Sequence, residues 1–205
     1  MALIRPPQPP ASPAACAQSW AEQLVQGSAA ERRAAARALG EQPGNSTLLL
    51  QQLNEECDSS VIEALITALA LQADEPAVLA LLDCLRSEDA MLRNEAVVAL
   101  KSAGRQHPQL LLSALHDSDP DVRILTVNIL ESLQLPQVES WLIELISHDS
   151  QINVCACAID LLCEVASEQA LPALLQCRER FAGEDYLVFA IDIALRRLGE
   201  VPSES

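Results

Sequence analysis

The chain repeats one pattern of apolar and polar positions, and its clearest copy lies in residues 119–131. Four small or apolar side chains in this stretch fall at offsets 0, +4, +7 and +8: Val122, Thr126, Ile129 and Leu130. Because a helix has about 3.6 residues per turn, these offsets share one face. The pattern therefore predicts an amphipathic helix with a single buried side.

The residues before this pattern form a helix start signal. Asp119 can accept a hydrogen bond from the free amides of the first turn, and Pro120 occupies a place where its missing N–H costs nothing. Asp121 suits the positive end of the helix dipole. Arg123 follows Asp119 by four residues, within reach of an ion pair. We therefore expect the helix to begin near residue 120.

The same offsets recur six times along the chain. Position 0 falls at Glu31, Val61, Leu92, Val122, Val154 and Leu187, with gaps of 30, 31, 30, 32 and 33 residues. Position +4 reads Ala35, Leu65, Ala96, Thr126, Ala158 and Ile191, and position +8 is leucine throughout: Leu39, Leu69, Leu100, Leu130, Leu162 and Leu195. A period of this length is the sequence signature of a repeat architecture.

Shorter apolar segments alternate with these predicted helices. They cover residues 46–55, 76–85, 108–115, 136–146 and 171–180, with a first member around 14–25. Each unit of about 30 residues therefore reads as a helical hairpin. A single hairpin cannot bury its own apolar face, so the hairpins are expected to stack into an all-α solenoid.

The motif that starts with Asp89 and continues through Leu92, Arg93 and Ala96 to Leu100 resembles the HEAT repeat. More narrowly, it is similar to the short bacterial HEAT-like repeats of phycobilin lyase subunits. The resemblance covers about residues 14–199 and implies a superhelix of about six hairpins whose second helices line a concave surface. It also implies a ladder between repeats, here formed by Asp89, Arg93, Asp119 and Arg123, with Arg32 in the first repeat.

The domain organisation follows from the extent of the repeats. Residues 14–199 are expected to form a single solenoid domain. Residues 1–13 read as a flexible proline-rich N-terminal tail without the apolar segment of a signal peptide, and residues 200–205 as a C-terminal tail. No run of about 20 apolar residues exists, so the sequence predicts no membrane span.

The charge balance limits the partners that the chain can take. It carries 13 Lys and Arg against 29 Asp and Glu, a formal charge of −16. An acidic surface repels phosphates, which counts against nucleic acid and anionic membranes and is compatible with basic protein partners. The same charge also serves the solubility of a long solenoid, so it does not by itself identify a partner. The seven cysteines, without an export signal, indicate a cytoplasmic protein with free thiols and no structural disulfide.

No motif for catalysis, metal binding or a cofactor is recognisable. His116 and His148 each precede an aspartate at equivalent places near a predicted helix end, where a histidine can bond free carbonyls and an aspartate can start the next turn. We therefore interpret both as structural. The cysteines lack the spacing of a zinc site. The sequence predicts no enzyme, no metal and no cofactor.

One face of the predicted second helices is less polar than a solvated face should be. Positions +2, +5, +6 and +9 point away from the hairpin core in this register. The resulting strip is predicted to bind a partner on the concave side and contains Ile66, Asn94, Val97, Val98, Ile124, Val127, Asn128, Ile159 and Phe189. Exposed apolar area of this extent is typical of a binding surface, including one for self-association.

These observations favour a non-catalytic scaffold, adaptor or assembly factor that binds a basic or helical protein segment. Two alternatives stay open from the sequence. One is a lyase-like subunit that handles a prosthetic group together with a partner, as the family resemblance suggests. The other is a toxin-neutralising protein, for which an acidic concave face would suit a basic target.

Overall fold

The computed structural model describes the backbone of residues 13–199 and the side chains from residue 19 onward. Its α-helices are α1 (Pro13–Gln26), α2 (Ala29–Gly40), α3 (Ser46–Glu55), α4 (Ser59–Gln72), α5 (Glu75–Cys84), α6 (Ala90–Ala103), α7 (Pro108–Ala114), α8 (Pro120–Leu133), α9 (Val138–His148), α10 (Ile152–Val165), α11 (Leu171–Arg180) and α12 (Asp185–Arg197). Residues 1–12 and 200–205, which make up nearly all of the two predicted tails, lie outside the described residues.

The fold class predicted from the sequence is confirmed. The structure is all-α between residues 13 and 199, and its helices form hairpins that stack as in an α-solenoid of HEAT-like repeats. Each even-numbered helix, which is the second helix of its hairpin, begins two residues before a predicted position 0. For example, α2 begins at Ala29, two residues before Glu31, and α12 begins at Asp185, two residues before Leu187.

Side-chain caps set several of these helix starts. Asp119 accepts a hydrogen bond from the Asp121 amide at 2.9 Å, with Pro120 as the first helical residue. Asp89 does the same for Met91 at 2.8 Å. Each cap satisfies an amide that has no partner inside its own helix. The predicted helix start near residue 120 is therefore confirmed together with its cause.

The described residues divide into a first unit, which ends at Gln72, and a second unit, which begins at Ala73. In the first unit, α2 packs against α1 and α4, and α3 packs against α4. In the second unit, α6, α8, α10 and α12 pack one against the next, while α5 contacts α7 and α9 contacts α11. The prediction of one continuous solenoid from residue 14 to residue 199 stays a prediction.

The core of each unit is built from the repeated columns of small and branched side chains. Every residue at position +4 and every leucine at position +8 is buried. Thr126 is the polar member of these columns, and its hydroxyl donates to the Val122 carbonyl oxygen at 2.8 Å. This bond satisfies a hydroxyl that would otherwise be costly to bury.

Gly40, at the end of α2, allows a close approach between α2 and α4. A Cβ atom added there would lie 2.8 Å from the Cα and Cβ atoms of Ala68. Because that contact includes backbone, Gly40→Ala is expected to lower the free energy of unfolding by about 1–3 kcal/mol. Thermal melts followed by circular dichroism test this, with Gly183→Ala as the control because a Cβ at Gly183 meets open space. Equal melting of the two variants would contradict the packing argument.

Candidate protein-binding face

Three members of the predicted strip are buried, so their predicted exposure is wrong. Ile66, Val127 and Ile159 are at most 1% exposed. All three occupy position +5. That position shares a side of the helix with position +1, where Arg123 of α8 reaches Asp149 in the loop between the two helices of the following hairpin. In the second unit, position +5 therefore turns toward the next second helix instead of toward solvent.

The surface that remains open in the second unit is formed by positions −1, +2 and +6 of its four second helices. We call this surface the open face. It contains Met91, Asn94 and Val98 on α6, Asp121, Ile124 and Asn128 on α8, Asn153, Ala156 and Asp160 on α10, and Tyr186, Phe189 and Ile193 on α12. All of these side chains are exposed or half-buried except Ala156, which is 9% exposed. The predicted strip member Val97 lies beside this face and is half-buried.

Large apolar side chains stand at the two ends of the open face. Val98 on α6 is 66% exposed, and Phe189 and Tyr186 on α12 are 63% and 68% exposed. Met91 and Ile193 are also exposed on the same two helices. A solvated helix face is normally polar, so these exposed side chains mark the strongest candidate contact points of the second unit.

The centre of the same surface is acidic. A groove of about 150 Å³ runs between α8 and α10 and is lined by Val127, Asn128, Glu131, Cys157, Asp160, Leu161 and Glu164. The Cys157 thiol donates to the Asn128 side-chain oxygen at 3.3 Å. Burial, together with Asp160 and Glu131, raises the pKa of Cys157 to about 11, so this thiol is neutral near pH 7. The groove therefore presents carboxylates beside a neutral thiol.

The ladder predicted between repeats exists, but with different acids. Asp89 and Asp119 cap their own helices, as described above, and the prediction that they belong to the ladder is wrong. The carboxylates that join neighbouring repeats lie at position −5. Arg32 pairs with Glu56, and Arg123 pairs with Asp149 in the following repeat.

The Arg123 guanidinium fixes one loop against the next by several hydrogen bonds. Its Nε donates to Asp149 at 2.7 Å and its Nη2 donates to the same carboxylate at 3.1 Å. Its Nη1 donates to the carbonyl oxygen of Asp117 at 2.8 Å. Arg93, predicted as a ladder member, donates to the Ser87 carbonyl oxygen at 2.6 Å instead. Asp117, which also lies at position −5, pairs with Arg86 of the preceding repeat. The column of Glu56, Asp117 and Asp149 is therefore a sequence signal for the ladder that comparison of the loops could have found.

The Arg32–Glu56 pair makes the stability of the first unit depend on pH. The hydrogen bond from Arg32 lowers the pKa of Glu56 from 4.5 to about 2. Since the carboxylate is stabilised only in the folded state, its contribution is complete above pH 4.5 and is lost as the pH falls toward 2. From this pKa shift, the contribution is at most about 3 kcal/mol.

We therefore expect the difference in free energy of unfolding between the parent and Glu56→Gln to shrink between pH 4.5 and pH 2. Urea unfolding of both proteins across pH 2–7 measures this difference, and the variant removes the effect of other titrating groups. A difference that stays constant over the range would show that Glu56 is not the group responsible.

The histidines near the helix ends bond carbonyl groups of their own helices, as the sequence interpretation expected. Nδ1 of His116 lies 2.9 Å from the Leu112 carbonyl oxygen, and Nδ1 of His148 lies 3.0 Å from the Glu144 carbonyl oxygen. Because a carbonyl oxygen only accepts hydrogen bonds, the Nδ1 atom of each histidine carries a proton and donates it. Both histidines line a wide groove of about 420 Å³ on the loop side of the second unit, and the Arg123–Asp149 pair lines the same groove.

A buried thiol pair lies beside Arg180 in the second unit. Cys155 and Cys177 are fully buried, and the Arg180 guanidinium lies 3.8 and 3.9 Å from their sulfur atoms. The hydrogen bond from Cys155 and the charge of Arg180 lower the pKa of Cys177. Arg180 also donates to the Ile146 and Ser147 carbonyl oxygens at 2.6 Å, so it holds the end of α9. The cluster is a structural element of the core.

In the described part of the chain, no three histidine, cysteine or carboxylate side chains are arranged to hold a metal ion. Among the same residues, no helix combines the length and the apolar character that crossing a membrane requires.

A comparison with family models agrees with the repeat architecture. A family model described as HEAT repeats matches residues 108–182, which contain α7 to α11. A crystal structure of an engineered protein is similar at 16% sequence identity and a TM-score of 0.42, over 92% of this chain and 99% of that chain. No curated protein matches the chain in sequence.

Proposed function

We propose that this chain, a HEAT-like repeat protein, is a non-catalytic scaffold or adaptor that binds a protein partner on its open face. HEAT repeats generally mediate interactions between proteins. The observation that carries the proposal is the exposure of Val98, Tyr186 and Phe189, each more than 60% exposed on a helix whose opposite side is core. Exposed apolar side chains of this kind promote aggregation, and they are typical of a surface that a binding partner covers.

The aromatic pair on α12 makes that helix the principal contact region of the proposal. Tyr186 and Phe189 are three residues apart and share one side of the helix. Tyrosine is among the residues that contribute most to binding energy at protein interfaces. The Arg123–Asp149 pair also supports the proposal, because it joins neighbouring repeats and so limits the conformational freedom that they would lose when a partner binds.

Affinity capture with matched variants tests the proposal. The bait Val98→Glu/Phe189→Glu alters the open face, and Leu79→Glu/Leu175→Glu alters exposed apolar residues on the first helices α5 and α11 to the same extent. We expect proteins captured specifically by the parent to be lost, by about tenfold or more, from the first bait and retained by the second. Retention by the open-face variant and loss from the first-helix variant would place the binding surface elsewhere and refute the proposal.

A further inference from the structure

Apolar and acidic side chains occupy different parts of the open face between α6 and α12. Its outer helices carry the exposed apolar side chains, and its inner helices, α8 and α10, carry Asp121, Asp160 and the groove carboxylates Glu131 and Glu164. The basic residues at the edge of this surface, Lys101 and Arg196, lie on the outer helices. A partner that covers the whole face therefore meets apolar contacts at both ends and negative charge in the middle.

The spacing of the helices fixes the length of such a partner. Packed helices lie roughly 10 Å apart, so the three steps from α6 to α12 cover about 30 Å. A helix of roughly 20 residues spans the same distance. The backbone groups of the open face are already paired inside its own helices, so an extended strand would find no backbone partners there. A helical partner pairs its backbone groups within itself, so it can bind this face without backbone hydrogen bonds to it.

We infer that the open face takes an amphipathic helix with apolar residues toward both ends and lysine or arginine residues in the middle of the same side. This inference rests on the proposed function and specifies its partner. The apolar ends dock on Val98 and on Phe189, and the basic centre lies over the groove between α8 and α10. Charge complementarity supports it further, since the whole chain carries −16.

Three synthetic peptides test this inference without knowledge of the natural partner. Each has roughly 20 residues with leucines near both ends of one side, and the central residues of that side are lysine, glutamine or glutamate. Binding to the full chain is measured by fluorescence anisotropy. We expect the lysine peptide to bind at least about tenfold more tightly than the glutamine peptide, and the advantage to shrink as salt rises from about 50 to 300 mM.

A matched pair of triple variants locates the effect. Glu131→Gln/Asp160→Asn/Glu164→Gln removes the groove carboxylates and is expected to abolish most of the preference for lysine. Glu75→Gln/Glu168→Gln/Glu179→Gln removes the same charge from exposed sites outside the open face and is expected to retain the preference. Circular dichroism confirms that both variants keep their helical content.

The outcomes separate this inference from the proposed function. Equal binding of the lysine and glutamine peptides, with loss of both in Val98→Glu/Phe189→Glu, would support a protein-binding open face and overturn the basic partner. Loss of the lysine preference in both triple variants would mean that net charge, and not the groove, selects the peptide, and would also overturn it. Failure of all three peptides to bind would overturn the inference, and capture by the parent and open-face baits would then decide the proposed function.

Discussion

Ile159→Glu is expected to unfold the second unit or to lower its free energy of unfolding by more than about 4 kcal/mol. Ile159 has no exposed surface and occupies position +5 of α10, which packs between α8 and α12. A carboxylate placed there has to lose its hydration without gaining a partner, or take up a proton at a similar cost. Thermal and urea unfolding measure the change.

Phe189→Glu is the matched control because it introduces the same carboxylate on the open face. Phe189 is 63% exposed, so the new charge keeps its hydration. We expect the free energy of unfolding to change by no more than about 0.5 kcal/mol. Comparable destabilisation by both substitutions would mean that the open face is covered in the native protein, and the division into buried and open columns would fail.

Arg123→Met is expected to have the second large effect, a loss of about 3–5 kcal/mol. Its partner Asp149 is 5% exposed at the side chain, so removal of the guanidinium leaves a nearly buried carboxylate without its counter-ion. The double variant Arg123→Met/Asp149→Asn is expected to recover part of the loss, because it removes the unpaired charge. Chemical denaturation of the parent, both single variants and the double variant gives the coupling energy.

Arg86→Met is the control for the general loss of an arginine. The Arg86 side chain is 47% exposed and bonds Asp83, which is 82% exposed, as well as Asp117. The Asp117 side chain is 9% exposed, but Arg86 itself is about half in solvent, which screens both of its pairs. We therefore expect a loss of about 1–2 kcal/mol, smaller than the loss for Arg123→Met. A larger loss for Arg86→Met than for Arg123→Met would contradict the assignment of the main inter-repeat connection to Arg123.

The hairpin architecture could be predicted from the sequence because its signal is local and repeated. The leucines at position +8 and the small or branched residues at position +4 recur in every copy, and each identifies a buried side of a helix. A match to the pattern in one copy could arise by chance, but the same match in all six copies could not. The helix starts were predictable for a related reason, since Asp119 and Pro120 act on amides in the same turn.

The position of the open face was predicted only in part, because burial in a stack depends on neighbours. The sequence pattern separates the side that faces the first helix from the opposite side. It does not separate the opposite side from the flanks that contact adjacent second helices. Ile66, Val127 and Ile159 are apolar, as residues of a binding surface often are, but they are buried in the core. Val98 and Phe189 have the same chemistry and are exposed, so only the structure distinguishes the two groups.

The ladder acids escaped the sequence analysis because their partners lie in another repeat. Asp119 and Arg123 are four residues apart, which suggested a pair within one helix. The structure uses Asp119 for the helix cap and brings Asp149, 26 residues from Arg123, to the guanidinium. The pairing requires knowledge of how one hairpin stacks on the next, and that information is absent from any single copy.

Site-specific photocrosslinking tests the central claim most directly. A photoreactive amino acid is placed at Val98, Phe189 or, as first-helix controls, Leu79 and Leu175, all exposed apolar positions of the second unit. After irradiation in the source cells, crosslinked proteins are identified by mass spectrometry. The proposed function predicts that Val98 and Phe189 crosslink to the same protein and that Leu79 and Leu175 do not. Crosslinks to that protein from Leu79 and Leu175, with none from Val98 or Phe189, would contradict it.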